Sequence, residues 1–387
     1  MPPDFSRDVR CILGLPFDVV TSAEAEKRLH RAIDTRTRCF LSTPNLNFVI
    51  GCMGDAAFRS SVLQSDLIVA DGWPAIMVGR LLGARLPERV AGSSLFERLV
   101  ESTNRPPIAV YFFGGPDGVA KAACDRLNAE PSGAKCTGFD APGFGSVSQM
   151  SSRAHLERIN GACPDFVVVA LGAKKGQAWI QHNHSHIDAP VVSHLGAVVN
   201  FVAGTVLRAP KWVQTCGLEW LWRIKEEPSL WRRYASDGLS LIRLMVTRVI
   251  PLALHLRISA PDAQALAHAS VQRTRTRDGS LIRMTGAWTR ENSGPLRTAF
   301  AAHATSGGAV CIDMSRVTHL DATAIALLAL LCGWQLKSTA AWEVANPSDA
   351  ARIALRLSCA DYLLAPLDLE AFEAPTREVA ESVRIRE

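Results

Sequence analysis

Residues 108–115, IAVYFFGG, and 165–173, DFVVVALGA, decide the fold class, because each is a short apolar run that leads into a glycine. Two similar runs come earlier in the chain: CFLST at 39–43 and LIVAD at 67–71. Helix-like stretches occur between the runs, at 23–34, 118–130 and 155–161. Strands that alternate with helices are typical of a parallel α/β sheet, and the lack of period-two alternation predicts strands covered on both faces.

The residues just after these runs are the candidates for a binding site. In parallel sheets, ligands bind beyond the carboxyl ends of the strands. The turns there are polar or contain glycine: TPNLN, ADG, GGPDG and LGAKKGQ. Gly114 and Gly115 would let backbone N–H groups approach a phosphate, although a tight strand-to-helix turn is the alternative. Asp71 belongs to an Asp-Gly pair, which is otherwise an ordinary turn pair.

Composition narrows the classes of function. A chain of 387 residues with 48% hydrophobic and 20% charged residues is expected to form two globular units. The net charge of +5, without a long Lys/Arg run, disfavours nucleic acid as the main partner. Ten cysteines without zinc-ligand spacing predict neither a zinc site nor a disulfide scaffold, which fits a reducing cytoplasm. The N-terminal residues show no signal peptide, so export is not expected.

Aromatic residues and arginines interleave at 208–234, RAPKWVQTCGLEWLWRIKEEPSLWRRY. The spacing fits helices that place cations beside apolar surface, which suits a phosphorylated ligand at a membrane. The alternative is a surface helix whose tryptophans pack on the core.

A family resemblance rests on ordered blocks between residues 12 and 234. The blocks are ILGLPFD, TPNLN, ADGWP, RVAGSSL, YFFGGPDGVA, LGAKKGQAWI and NFVAGTVLRAP. Together they resemble the WecG/TagA/CpsF family of bacterial glycosyltransferases. The resemblance implies an inverting enzyme that moves a sugar from a UDP-sugar to a polyprenyl-diphosphate-linked saccharide during surface polysaccharide synthesis. It also implies a cytoplasmic protein, peripheral on the inner face of the cell membrane, with no cofactor and no catalytic metal.

The resemblance assigns roles to individual residues. Asp71 matches the proposed catalytic base. The expected substrate-binding residues are Thr43, Asn45, Arg89, Gly114, Gly115, Gln177, Asn200, Arg223 and Arg233. The last two match arginines of a C-terminal appendage that docks on the membrane and completes the active site, while Leu230 replaces a third arginine and Arg232 is the candidate to compensate. The alternatives are a helix cap for Asn45 and a surface ion pair for Arg89.

The chain also departs from the family pattern. Relatives usually have LGSPKQE where this chain has LGAKKGQ, so Gly176 stands at the glutamine position and Gln177 at the glutamate position. Asn200 replaces a frequent aspartate. These changes keep open an alternative function, a catalytically silent nucleotide-sugar sensor.

The histidines of this region do not form a recognisable metal-binding motif. They are His182, His184, His186 and His194. Because no carboxylate or cysteine set completes a site, a solvated helix end is the preferred interpretation.

The most apolar segment, 239–258, contains Arg243, Arg248, Pro251 and Arg257. A membrane-spanning helix seldom accepts such residues, so we expect the segment to lie in the headgroup plane. The alternative is a connector helix that packs on its own domain.

A second domain follows an alanine-rich and arginine-rich linker. The block AVCIDMSRVTHLDATAIALLALL at 309–331 resembles the STAS domain, which implies a small α/β domain that binds a protein partner. In antagonist members of that family a hydroxyl two residues after an aspartate is phosphorylated, so Thr323, after Asp321, is the candidate regulatory residue. Its alternative role is a helix cap.

The expected organisation has five parts. They are a Rossmann-like transferase core at 1–204, a helical membrane appendage at 205–258, a linker at 259–277, a STAS-like domain at 278–375 and a tail at 376–387.

Overall fold

Six of the first eight strands form the parallel sheet predicted from the apolar runs. The computed structural model describes residues 3–367. These strands are β1 (Val9–Ile12), β2 (Leu15–Asp18), β3 (Cys39–Ser42), β4 (Leu67–Ile68), β5 (Ile108–Gly114), β6 (Ala134–Asp140), β7 (Phe166–Ala170) and β8 (Val191–His194). Strands β1 and β2 pair as an antiparallel hairpin, and the other six form one parallel sheet in the order β4, β3, β8, β7, β5, β6. The predicted parallel α/β fold is confirmed.

Helices cover both faces of this sheet. They are α1 (Ser22–Asp34), α2 (Leu46–Gly54), α3 (Ala56–Leu63), α4 (Trp73–Leu81), α5 (Gly92–Glu101), α6 (Val119–Ala129), α7 (Arg153–Gly161), α8 (Ala173–Asn183) and α9 (Gly196–Ala203). Phe112 belongs to the apolar cluster on one face, and Phe113 belongs to the cluster on the other. Phe113 stacks on Trp179 of α8, with 4.2 Å between the ring centroids. Burial on both faces explains why the strands read as continuous apolar runs.

The appendage, residues 205–258, is helical. It contains α10 (Lys211–Thr215), α11 (Glu219–Glu226), α12 (Trp231–Leu244), a π-helical turn (Met245–Val249) and α13 (Ile250–Ile258). From Pro228 to Ile258 the helical structure is continuous, and by length and composition this run is long and apolar enough to cross a membrane. That differs from the expectation that no such helix occurs. One side of the run nevertheless packs on protein, since Val249 and Leu252 are buried and Arg248 Nη1 donates to the carbonyl of Arg356 at 2.9 Å.

The second sheet has four strands. The elements of this part are α14 (Ala263–Ala267), β9 (Ser270–Arg275), β10 (Gly279–Trp288), α15 (Gly294–Ser306), β11 (Ala309–Leu320), α16 (Ala322–Lys337), β12 (Trp342–Ala345) and α17 (Asp349–Leu357). The strand order is β12, β11, β10, β9, with β9 antiparallel and the others parallel. The predicted small α/β domain is confirmed.

A strand falls where the sequence predicted a linker. Strand β9 lies inside the expected linker, 259–277, where its polar sequence suits an exposed edge strand. The last part of the expected STAS-like domain, 368–375, and the expected tail, 376–387, lie outside the described residues, so these boundaries stay predictions.

One hydrophobic core contains residues of the β1–β2 hairpin and of helices α2, α3 and α4 together with residues of the second sheet. Helix α16 packs against β1, β2 and α3 as well as against β11. A Cβ atom at Gly333 of α16 would overlap the carbonyl oxygen of Leu63 in α3, so only glycine permits this close approach. Tyr362 Oη donates to the carbonyl of Gly14 at 2.8 Å, between the same two parts of the chain. The second domain is therefore docked on the first.

The sequence predicted no disulfide scaffold, but one pair of cysteines is bonded. Cys124 and Cys136 form a disulfide, with their Cα atoms 5.2 Å apart. Cys124 is on α6 and Cys136 on β6, which pack together, so the fold brings them close. The other eight cysteines, all among the described residues, are free.

Candidate functional site

A cavity of about 670 Å³ lies at the carboxyl ends of the large sheet, where the sequence predicted it. Its wall includes residues from the turns after β3, β4 and β7, and from the end of β8. The appendage supplies further lining residues from α11 and α12. The expected site residues in the wall are Thr43, Asn45, Asp71, Arg89, Arg223 and Arg233.

Asp71 stands just beyond β4, in front of the first turn of α5. Its Oδ2 accepts a long hydrogen bond of 3.4 Å from the backbone N–H of Gly92. Desolvation raises the pKa of Asp71 to about 7, with the charge of Glu219 adding to the rise and Arg89 opposing it. A carboxylate with a pKa near neutrality suits a general base, because it is both available and basic enough to accept a proton.

Arg89 and Glu219 join the core to the appendage. Arg89 Nη1 donates to Glu219 Oε2 at 2.7 Å, and both side chains are largely buried. Arg89 thus takes part in an ion pair, as in the alternative interpretation, but the pair lies in the cavity wall and not on the open surface. It places a carboxylate from α11 in the electrostatic environment of Asp71.

The turn after β3 contributes polar groups. Thr43 is buried, and a Cβ atom at Gly92 would lie 3.2 Å from its hydroxyl oxygen. Asn45 caps α2, since its Oδ1 accepts from the N–H of Phe48 at 3.1 Å, and it also lines the cavity. Asn47 Nδ2 donates to Asp237 Oδ1 at 3.2 Å, which ties α2 to the buried carboxylate of α12.

The two expected arginines of the appendage lie in the cavity wall. Arg223 sits over the ring of Phe201 at 5.3 Å and also pairs with Glu227 at 3.3 Å. Arg233 sits over the ring of Tyr234 at 5.2 Å. Trp220 is exposed at the cavity wall, unlike the alternative in which the tryptophans pack on the core. These cations are placed to meet an anionic group, because guanidinium groups match phosphate oxygens.

Four expected substrate contacts lie outside the cavity wall. Gln177 is fully buried and its Nε2 donates to Ser42 Oγ at 2.8 Å, so it joins α8 to β3. Gly114 is the last residue of β5, and Gly115, just after it, donates its N–H to the carbonyl of Ala170. Asn200 accepts from Thr205 Oγ1 through its backbone carbonyl at 3.2 Å.

The histidines separate in space. His182 and His184 lie on and just after α8, whereas His194 ends β8 and lines the cavity. Across residues 3–367, no group of three or more His, Cys, Asp or Glu side chains is arranged to hold a metal ion.

Thr323 lies in the first turn of α16. The cap of this helix is Asp321, which accepts from the N–H groups of Thr323 and Ala324 at 2.8 and 2.9 Å. Thr323 is fully buried and its hydroxyl has no partner among the described residues. A kinase has no access to this hydroxyl in the observed arrangement, so the regulatory role stays a prediction that requires the residues around Thr323 to rearrange.

The sequence pattern did not predict that Glu219, Asp237 and His194 line the cavity. Asp237 had a signal, because it is the single carboxylate in the apolar and basic run 231–258. Glu219 had none, since an acidic residue at a helix start is an ordinary choice.

Comparison with known proteins identifies both parts of the chain. The profile of the glycosyl transferase WecG/TagA/CpsF family matches residues 10–253, and the profile of the Mlab STAS domain matches residues 271–365. The N-acetylglucosaminyldiphosphoundecaprenol N-acetyl-beta-D-mannosaminyltransferase of Bacillus subtilis is 30% identical over 205 residues, covering 53% of this chain and 78% of the relative. The Staphylococcus aureus enzyme of the same name is 23% identical over 214 residues, covering 55% of this chain and 82% of the relative. Because the first profile covers more than half of the chain, this protein belongs to the WecG/TagA/CpsF family of glycosyl transferases, with a STAS domain after the transferase.

Proposed function

We propose that this hexosyltransferase transfers a sugar, with inversion, from a UDP-sugar to a polyprenyl-diphosphate-linked saccharide. The observation that carries the proposal is the desolvated carboxylate of Asp71 in a cavity that the arginines of the appendage help to line. The relatives' names specify an N-acetylmannosaminyl transfer to a diphosphoundecaprenol-linked sugar, which supports an acceptor of that class.

The proposed chemistry needs one proton transfer. An acceptor hydroxyl attacks the anomeric carbon of the donor while Asp71 takes the hydroxyl proton. The bond between the anomeric carbon and the phosphate oxygen breaks, and UDP leaves with the electron pair. Attack from the face opposite the leaving group inverts the anomeric centre.

The appendage arginines take a separate role in this proposal. Arg223 and Arg233 lie on the appendage side of the cavity, and we assign them to the diphosphate of the lipid-linked acceptor. Glu219 holds Arg89 across the junction and keeps the appendage in place over the core.

Membrane attachment is proposed through one exposed side of the helical run from Pro228 to Ile258. We define the apolar row as the large exposed aliphatic residues of this run, Leu239, Ile242, Val246, Ile250, Leu254 and Ile258. Their spacing of three or four residues places them along one side of the helix. The opposite side carries the protein contacts of Asp237 and Val249. A helix with one apolar side free and the other packed on protein suits a peripheral position on the inner face of the membrane.

The Asp71→Asn variant tests the assigned base. We expect it to fold and bind donor but to lose transfer by about a hundredfold or more, because an amide cannot accept the proton. Wild-type transfer should rise as pH rises through about 7, since the deprotonated carboxylate is the active form and its pKa lies there. Radiolabelled sugar transfer to a lipid-linked acceptor, measured across pH, is the assay.

Asp125→Asn is the matched control, because Asp125 is an exposed carboxylate on α6 that pairs with Lys121. Full activity in Asp71→Asn would remove Asp71 from the mechanism. Donor binding by the wild-type protein without turnover on any acceptor would instead support the alternative, a silent nucleotide-sugar sensor.

The double variant Arg223→Ala/Arg233→Ala tests the acceptor assignment. We expect the KM for the diphosphate-linked acceptor to rise about tenfold or more while donor binding changes little, because charge-assisted hydrogen bonds to the acceptor are lost. Arg232, the candidate to compensate for Leu230, is not part of the cavity wall, and its guanidinium lies over the ring of Trp231 at 5.7 Å, so Arg232→Ala is the control. Equal losses in donor binding and acceptor use would refute the separate role.

A further inference from the structure

His194 lines the cavity and has a buried ring nitrogen without a hydrogen-bond partner among the described residues. It ends β8, and its ring lies 6.2 Å from that of Phe48. The Nε2 atom is buried and has no hydrogen-bond partner among the described residues. Buried polar atoms in folded proteins nearly always have a partner, so an unpaired one beside a substrate cavity requires an explanation.

Gly176 makes room for this imidazole. A Cβ atom at position 176 would overlap Cδ2 of His194 and lie 2.9 Å from its Cγ. A Cβ atom at Gly196, in the first turn of α9, would lie 3.2 Å from Nε2. Two glycines, on α8 and α9, therefore border the ring and fix the space that it occupies. Gly176, which stands where the family usually has glutamine, thus leaves the space that the ring of His194 occupies.

The chemistry of the ring selects the kind of group that it would meet. Desolvation lowers the pKa of His194 to about 4, so the ring is neutral near pH 7. A neutral imidazole has one donor and one acceptor nitrogen, which suits a hydroxyl or an acylamino group better than a phosphate. The cations for phosphate lie elsewhere in the wall, at Arg89, Arg223 and Arg233.

We propose that His194 hydrogen-bonds a hydroxyl or acylamino group of the donor sugar, and that Gly176 provides the space for its ring, so that the pair determines donor specificity. This inference rests on the proposed function, because it places a donor sugar in the same cavity. It assigns a substrate contact to a residue that the family resemblance does not designate, at the place where the family's glutamine is missing.

Substitutions at the two positions separate hydrogen bonding from packing. His194→Leu replaces the imidazole by a side chain of moderate size without polar atoms. We expect kcat/KM for UDP-N-acetylmannosamine to fall at least about tenfold, because a hydrogen bond to the substrate is lost. Thermal stability should stay close to that of the wild type. His194→Gln should recover part of the loss, since its amide can bond the same group. Gly176→Ala should also lower kcat/KM by displacing the ring, whereas Gly176→Ala/His194→Gly removes the overlap and should regain part of the stability that Gly176→Ala alone loses. His182→Leu, on α8 outside the cavity wall, is the control.

A spectroscopic measurement tests the contact without turnover. In full-length protein with ¹⁵N-labelled histidine, UDP-N-acetylmannosamine should shift the His194 ring signals, also in Asp71→Asn. Unchanged signals at saturating donor, or full activity of His194→Leu with unaltered donor preference, would overturn the inference and leave the transferase proposal intact. A clear shift in a wild-type protein that transfers no sugar would support the contact and overturn the transferase proposal.

Discussion

Two apolar helices of this protein have opposite surroundings. In α16 the side chains from Thr323 to Gly333 are all buried, because the second sheet covers one side and β1, β2 and α3 cover the other. The run from Pro228 to Ile258 has a similar apolar composition, yet its apolar row stays exposed. A helix that is apolar all round needs protein on every side, whereas a helix with arginines and one carboxylate can leave one face for lipid. Composition alone does not distinguish these outcomes.

The largest effect is expected from ending the chain after Ile258. The sequence alone suggests two independent units, so the transferase would survive this truncation. In the structure the truncation uncovers Val9, Ile12 and Phe58, which share a core with α16. We therefore expect the truncated chain to lose most of its soluble, cooperatively folded fraction, because exposed apolar core promotes aggregation.

Soluble yield and thermal unfolding measure this outcome. A chain that ends at residue 367 is the control, because it keeps every described contact. A truncated transferase with wild-type thermal stability and activity would show that the shared core is dispensable, and the comparison between the two helices would then fail.

A smaller but more specific effect is expected from Gly333→Ala. Alanine favours a helix interior over glycine by about 1 kcal/mol, so the local effect alone would stabilise the protein. The added Cβ would overlap the carbonyl of Leu63, and we expect a net loss of about 1 to 3 kcal/mol from overpacking. Differential scanning calorimetry at one protein concentration would measure it.

Gly294→Ala provides the matched control for this variant. A Cβ atom at Gly294, at the start of α15, meets nothing within 4 Å. If both variants were equally stable, α16 would not be held tightly against α3 in solution.

The double variant Ile242→Asp/Val246→Asp is expected to have the smallest effect on folding. Its effect on membrane binding should be large. Both side chains are more than 60% exposed, so the folded protein should tolerate the change. Liposome binding should fall at least about tenfold, because each buried apolar side chain contributes about 1.5 to 3 kcal/mol. For the wild type, higher salt should weaken binding to anionic liposomes more than to neutral ones, since Arg243 and Arg257 are exposed on the same run.

Thr247→Asp is the control for this experiment, because it adds a negative charge at an exposed position outside the apolar row. Sedimentation with liposomes would compare the variants. Unchanged binding of the double variant would place the membrane contact elsewhere on the protein.

The sequence by itself determined the sheet and the place of the site. The strands were visible as apolar runs, and the turns after them placed Thr43, Asn45 and Asp71 at the same edge, because parallel strands end at the same side. These are local signals, set by burial of each strand and by the residues that a turn accepts. The resemblance added Arg223 and Arg233, whose positions no local pattern fixes.

Only the tertiary structure decided how distant segments meet. Arg89 and Glu219 are 130 residues apart, and Asn47 and Asp237 are 190 apart. The docking of α16 depends on close approach of two backbones at Gly333. The space for the ring of His194 depends in the same way on Gly176, because a glycine in the sequence does not say which side chain fills the volume it leaves. Two segments that are far apart in the chain can fit together in shape without any shared periodicity or spacing in the sequence. Their fit is fixed only when the packed core brings the two surfaces together.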